Sequence, residues 1–288
     1  MRNREMVRRI EDLDAGEPLR FAIAGDSGAW RDPTADAIFA QLIGQVQQLE
    51  PAFFVNLGDF AGPGTRERHE RYLELVAPLT IPNICVVGNH DLDDAEGHDA
   101  WEELHGPMNY DFACGHTRFV AIHAVMRIGR HDREEPPEAI EGPTLEDLEY
   151  LDGALRNASE PNCVVLMHMP PYHDGHYRPH ANWGFGRHES EFHTILAEHG
   201  VSLVCCAHGL AFDQHVHAGV RFVMSGGGGS GLCSHLRGIC TEGDGTPEDR
   251  GAIFHSVEIS IAADGAISGR VIQAFADPRA SRIAFGAA

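Results

Sequence analysis

Three early segments of the chain share one pattern. LRFAIAGDSG, AFFVNLGDF and NICVVGNHD are each a short apolar run that ends in Gly or Asn beside an acidic residue or a histidine. Unbroken runs rich in Val, Ile and Phe read as strands buried on both faces. Between the first two, PTADAIFAQLIGQVQQLE places Ile38, Phe39, Leu42, Ile43 and Val46 at helical spacing, and Pro33 suits a helix start. The stretch RERHERYLELVAPL also predicts a helix. The order is βαβαβ, which predicts a mostly parallel sheet with right-handed crossovers. Ligands gather at the carboxyl ends of such strands. Asp26, Asp59, Asn89 and His90 all lie at these ends.

Further along, NYDFACG and RFVAIHAV predict an antiparallel hairpin. The acidic, proline-rich loop DREEPPEAIEGPT reads as a solvated surface, and a helix over TLEDLEYLDGALRNA follows it. The strand NCVVLMH then delivers His168 and the strand VSLVCCAH delivers His208, with the helix ESEFHTILAEHG between them. From FDQHVHAGVRFVMSGGGG to ISGRVIQAF the pattern alternates as antiparallel strands do. No fixed-period repeat or linker composition divides the chain. A single domain over 1–288 is expected, with an N-terminal helical extension over 1–18 and a C-terminal tail over 276–288.

Composition narrows the class. A chain of 288 residues, 43% hydrophobic and 23% charged, is long enough and ordinary enough for a sizeable core without staples. The opening MRNREMVRRIEDLDAGEPLR is charged throughout and lacks the apolar core of a secretory signal. No stretch approaches the ~20 apolar residues that span a bilayer. A soluble, cytoplasmic protein with no membrane partner is expected. Seven cysteines, an odd count without CxxC spacing, argue against a disulfide framework and a structural zinc site. Cys85, Cys163, Cys205 and Cys206 lie in apolar runs and read as small buried hydrophobes. A net charge of −21 repels phosphate backbones, which argues against duplex DNA or RNA as a partner. A small anionic substrate stays open, because a bound metal dominates the local potential.

The strand-end residues form an ordered set: Asp26-Ser27-Gly28, Gly58-Asp59, Gly88-Asn89-His90-Asp91, His168 and Ala207-His208-Gly209-Leu210. Over roughly residues 20 to 230 this set resembles the signature of the calcineurin-like metallophosphoesterases. That signature runs Asp-x-His, Gly-Asp, Gly-Asn-His-Asp/Glu, a lone His and Gly-His-x-His. VVGNHD is its most specific element, and Phe212-Asp213-Gln214 and SGGGG are similar to what trails the last motif. The resemblance implies an α/β fold, a four-layer αββα sandwich of mixed sheets with a metal site at the carboxyl ends of the strands. It also implies hydrolysis of a phosphate mono- or diester of a small molecule by a metal-activated water.

The family builds two adjacent metal positions bridged by the second-motif Asp. Here one position is fully supplied, by Asp59, the amide oxygen of Asn89, His168 and His208. The other calls for Asp26, Asp59 and histidines at 28 and 210, where Gly28 and Leu210 stand. The Asp-x-Gly form resembles the purple acid phosphatase branch, but the Tyr that compensates there falls at Gly62. One tightly bound divalent or trivalent transition metal is therefore expected, with the second position depleted. Oxygen and imidazole donors suit Mn, Fe, Zn, Co or Ni alike. His173, His176, His215 and His217 are the nearest histidines in sequence that would rescue that position, although exposed strand and loop residues is the simpler reading. His215 and His217, two apart, share one face of a strand.

By the same resemblance, His90 approaches the phosphate and leaving oxygen as a donor or general acid. Asp91 then orients His90, or else caps the helix expected over DLDDAEGHDAWEEL. Asp26, without its partner histidines, reads as a general base toward the nucleophilic water. In the loop MPPYHDGHYRPHANWGFGRH, Tyr172, His173, Tyr177 and Trp183 either stack on substrate or pack the loop. Two other classes of function stay open: a degenerate member that binds a phosphorylated ligand without turnover, and metal-dependent chemistry on a non-phosphate substrate.

Overall fold

Alternation within the apolar runs decides which way each strand faces. In β1 (Leu19–Ala24), Leu19, Phe21 and Ile23 turn to one side and Ala22 and Ala24 to the other. In β6 (Asn162–Leu166), Val164 and Leu166 face inward while Cys163 and Val165 face outward. Both faces of such strands are apolar because both are covered. The computed structural model describes residues 2–28, 33–125, 142–171, 184–185, 187–232, 253–280 and 284–286.

Two six-stranded sheets result. The first joins β1, β2 (Phe53–Asn56) and β3 (Asn83–Cys85) in parallel, and β10 (His255–Ile261), β11 (Ile267–Gln273) and β12 (Ala284–Gly286) extend it antiparallel in the order β12-β11-β10-β1-β2-β3. The second has the order β4-β5-β6-β7-β9-β8, where β4 is Tyr110–Cys114, β5 Thr117–Ala121, β7 Leu203–Cys206, β8 Phe212–His217 and β9 Val220–Ser225. Its strands β5, β6, β7 and β9 run parallel, with antiparallel β4 and β8 at the edges. The single mostly parallel sheet suggested by the βαβαβ order is thus replaced by two mixed sheets, as the family resemblance implied. Hydrophobic period reports burial but not which buried strands pair.

Helices α2 (Pro33–Leu49), α3 (Arg66–Val76) and α4 (Gly97–Leu104) cover the outer face of the first sheet. Helices α5 (Leu145–Arg156) and α6 (Glu189–Glu198) cover that of the second. Between the sheets lies a core in which Phe21 stacks on Phe53 at 5.3 Å and meets the edge of Phe119 at 5.3 Å. Burying each such ring contributes roughly 2–3 kcal/mol. The four layers are those of an αββα sandwich. Thr144 and Asp147 form a reciprocal capping box that starts α5.

The chain ends differ from their sequence reading. The N-terminal helix α1 spans only Arg2–Glu11, and its Met6 and Ile10 enter the core between the sheets. Asn3 ties it to the edge strand, donating to the Cys85 carbonyl at 2.9 Å and accepting from the Cys85 amide at 3.2 Å. At the other end, β12 adds an edge strand within the stretch expected to be a tail. Among the described residues no helix is long and apolar enough to cross a membrane.

The sheets close on one another at their carboxyl ends. Gly25, after β1, donates to the Ser225 carbonyl at 2.7 Å and accepts from the Gly228 amide at 2.8 Å. A Cβ at position 25 would lie 2.4 Å from the Ala207 Cβ and 3.2 Å from that of Leu57. Gly25→Ala is therefore expected to lower stability by about 1–3 kcal/mol, the usual range for overpacking. A urea titration measures the loss. An unchanged midpoint would mean that the sheets are not in close contact at this point.

Candidate metal centre

Each strand that ends at this closure hands over a polar residue. Asp26 follows β1, Asp59 follows β2, Asn89 and His90 follow β3, His168 follows β6 and His208 follows β7. Asp26, Asp59 and His208 have φ of 57°, 58° and 67°, so the chain turns sharply into the left-handed region at each. Asp, Asn and His tolerate that region better than other residues with a Cβ.

Four donor atoms converge. His168 Nε2 lies 3.3 Å from Asp59 Oδ2 and 3.2 Å from His208 Nδ1, which lies 3.1 Å from Asn89 Oδ1. Asp59 and His168 are buried. The other nitrogen of His168 donates to the Leu57 carbonyl at 2.8 Å, because a carbonyl can only accept. A neutral His168 therefore points a lone pair from Nε2 toward a carboxylate. Only a cation between them, a proton or a metal ion, relieves that arrangement. Among the described residues, Asp59, His168 and His208 are the one group of acidic, histidine or cysteine side chains close enough to hold an ion. Two imidazole nitrogens, a carboxylate and an amide oxygen fit a transition metal of intermediate softness.

Electrostatics follow from burial and pairing. Burial opposes the Asp59 charge, but the charge and hydrogen bond of His168 outweigh it and bring its pKa to about 2. Burial likewise opposes the His168 charge, yet Asp59 and Asp26 hold its pKa up to about 9. Asp26 differs. Its Oδ2 is buried without a hydrogen-bond partner, and burial drives its pKa well above the ordinary value, with Asp59 adding and His168 opposing.

Asp91 does not orient His90, nor does it cap the next helix. Its Oδ2 accepts from the amides of Asp59 and Gly88 at 2.9 and 2.8 Å, and its Oδ1 from those of Phe60 and Ala61 at 2.8 Å each. The carboxylate thus stitches the second motif to the third. Burial and the Asp59 charge push its pKa up to about 7, while two donors on each oxygen favour the anion. The helix expected from Asp91 is a 3₁₀ turn over His90–Leu92, and α4 begins only at Gly97. His90 is held instead by Asp93, with Nδ1 to Oδ2 at 2.5 Å, and its amide donates to Asp59 Oδ1 at 2.9 Å. Burial lowers the His90 pKa, but Asp93 and Asp59 prevail and raise it to about 9.

Packing is tight around the residues that correspond to the second position. A Cβ at position 28 would sit 2.3 Å from the Phe60 carbonyl oxygen and 3.1 Å from the Arg68 guanidinium. Leu210 packs against the outer core of the second sheet. The Gly226 backbone crowds the Asp26 carboxylate so closely that a Cβ there would lie 2.6 Å from Oδ2. His215 and His217 do not supply the missing ligands: His215 stacks on Phe222 at 5.1 Å, and His217 lies 5.0 Å from the ring of His193 on α6. His173, His176, Tyr172, Tyr177 and Trp183 lie outside the described residues.

Two residues near the site had no place in the sequence reading. Asp93 is one of several acids after His90, and nothing in the sequence separates it from Asp91 or Asp94. His123 follows β5, whose pairing with β6 puts it one strand from His168, and its Nδ1 lies 3.8 Å from Asp147. Its signal was the same as the others, an apolar run ending in histidine.

The model of the family described as calcineurin-like phosphoesterase matches residues 19–211. Among solved structures, a purple acid phosphatase from yellow lupin seeds is similar at 14% identity and a TM-score of 0.66, with 95% of this chain and 54% of that one covered. A dimetal phosphatase from Danio rerio is similar at 13% identity and a TM-score of 0.66, covering 89% and 96%. GAP50, the anchor in the inner membrane complex of Plasmodium, is similar at 14% and 0.65, covering 94% and 89%. Such identities show the fold alone, and the chain spans about half the length of the lupin enzyme. No curated protein matches this sequence.

Metal uptake at this centre is expected to expel the proton that His168 otherwise holds up to about pH 9. With one proton displaced, the affinity for Mn(II) rises about tenfold per pH unit below that point. Titrations one pH unit apart check this, and a flat affinity would mean that His168 does not bind the ion.

Proposed function

Because the chain belongs to the calcineurin-like phosphoesterases, we propose that it hydrolyses a phosphate mono- or diester of a small molecule with one tightly held metal ion. Asp59, Asn89, His168 and His208 hold that ion, which is Mn, Fe, Zn, Co or Ni. The observation that carries the reading is the convergence of their four donor atoms at 3.1–3.3 Å, with the His168 lone pair turned inward. When bound, the ion supplies positive charge to the phosphoryl oxygens and brings the pKa of a water toward about 7.

The residues around the centre divide the remaining work. Asp59 is fixed by the His90 amide and by the loop that Asp91 organises. Asp26 offers a buried oxygen with no hydrogen-bond partner beside the cluster, the environment that makes a carboxylate a base near neutral pH. His90, charged at neutral pH, faces the phosphate and donates to its oxygens or to the leaving group. The packing at 28, 210 and 226 supports depletion of the second position.

A second reading is supported by those same positions. A member short of ligands would bind a phosphorylated ligand without turnover, and a structural neighbour is known as an anchor. Assays with p-nitrophenyl phosphate and bis-p-nitrophenyl phosphate plus Mn(II) separate the two. Turnover is expected, with His90→Ala lowering kcat by ~10²–10⁴; no turnover with metal bound would favour the second reading. Metal analysis is expected to give close to one ion per chain, lost in His208→Ala, and a value near two would overturn the depleted position. Asp26→Asn is expected to abolish turnover while keeping the ion. Intact turnover with metal loss would remove Asp26 as base.

A further inference from the structure

The turn that carries His90 is fixed more firmly than a surface loop needs. It is 3₁₀ over His90–Leu92, and in that geometry side chains at i and i+3 lie in line. His90 and Asp93 are such a pair, and their 2.5 Å contact follows from the turn itself. The turn is clamped from two sides. A Cβ at Gly64 would lie 2.8 Å from the Asp91 carbonyl oxygen and 2.9 Å from the Asp93 amide nitrogen, and one at Gly97 would lie 2.8 Å from the same carbonyl. That carbonyl also accepts from His69 Nε2 at 3.1 Å. The Asp91 carboxylate pins the turn to the second motif through four amides.

A loop so constrained presents one imidazole orientation. Its Nδ1 is committed to Asp93.

We propose that Asp93 is the positioning residue of His90: its carboxylate holds Nδ1 and fixes the imidazole, so that Nε2 faces the leaving oxygen of the ester. In the step this serves, the ring starts with a proton on each nitrogen: the P–O bond to the leaving group breaks as the Nε2 proton moves to that oxygen, and the ring keeps the Nδ1 proton that Asp93 holds. The leaving group departs as an alcohol or phenol, and water supplies the oxygen that stays on phosphorus. The inference rests on the phosphoesterase reading. It moves the orienting role from Asp91, whose oxygens are fully used by backbone amides, to a residue three positions past the histidine.

The test compares Asp93→Asn and Asp93→Glu with the unmodified protein on aryl esters whose leaving groups differ in acidity, p-nitrophenyl and phenyl. Help with proton transfer matters most for the poor leaving group. Asp93→Asn is expected to lower kcat on the phenyl ester by ~10²-fold and on the p-nitrophenyl ester by tenfold or less. KM and metal content should stay unchanged, and Asp93→Glu should recover part of the loss. The unmodified protein should also show a far-downfield proton resonance from His90 Nδ1 that Asp93→Asn abolishes.

An equal loss on both esters, a change in KM alone, or no such resonance in the unmodified protein would overturn the role of Asp93 while leaving the phosphoesterase reading intact. No turnover of any ester by the unmodified protein would overturn that reading and this one together.

Discussion

The arrangement of the site follows from one buried contact, the Asp59 carboxylate facing the Nε2 lone pair of His168 at 3.3 Å. The Leu57 carbonyl fixes the tautomer by accepting a hydrogen bond from Nδ1–H. Two electron-rich atoms cannot share a water-free space without a positive charge between them. His208 and Asn89 add further donors on the same side. The backbone yields to this point rather than the reverse. Three strands end in left-handed residues, and Gly58 and Gly88 let the chain pass where any Cβ would collide with His168 or Asp59. Conformations of that kind persist only when the surrounding packing determines them.

A polar chain carries this order into the body of the protein. The Asp91 carbonyl accepts a hydrogen bond from His69 Nε2, so a neutral His69 must accept at Nδ1, where His105 Nε2 donates at 3.2 Å. His105 Nδ1 then faces the Cys85 thiol at 3.3 Å, and Cys85 meets Asn3 of α1. Burial keeps both rings neutral, His69 near 4 and His105 well below its ordinary value. Each tautomer is therefore set by its neighbour. Helix α1 is part of the scaffold beneath the metal-centre loops, although its sequence reads as a charged extension. Its buried residues are only Asn3, Met6 and Ile10, too few to announce a core helix.

Strand ends were legible because burial on both faces leaves an unmistakable apolar run, and a polar residue closing such a run must be stabilised by something. That reasoning reached Asp26, Asp59, Asn89, His168 and His208. It reached the antiparallel neighbours, β4 with β5, β8 with β9 and β10 with β11, but not the parallel pairing of β9 with β7, since period alone does not encode direction. The His90 partner was misassigned for a related reason. Asp91 is adjacent and Asp93 three away, and only the turn type brings the third residue into line. His215 and His217 share a strand face as expected, but the face belongs to the layer of α6, and sequence does not say on which side of a sheet a strand's alternate residues fall.

The proposed asymmetry between the two family metal positions is supported by packing as well as by the residues exchanged at 28 and 210. Were Gly28 a simple loss, the space for a side chain would remain, yet the Phe60 carbonyl occupies the Cβ direction. Were Leu210 a simple loss, its side chain would face the cluster, yet it joins the apolar layer beneath α5 and α6. Gly226 then brings backbone against the Asp26 carboxylate. Asp26 is left as a buried carboxylate with one oxygen unsatisfied beside a more complete ligand set. That setting is what supports the reading of Asp26 as a base.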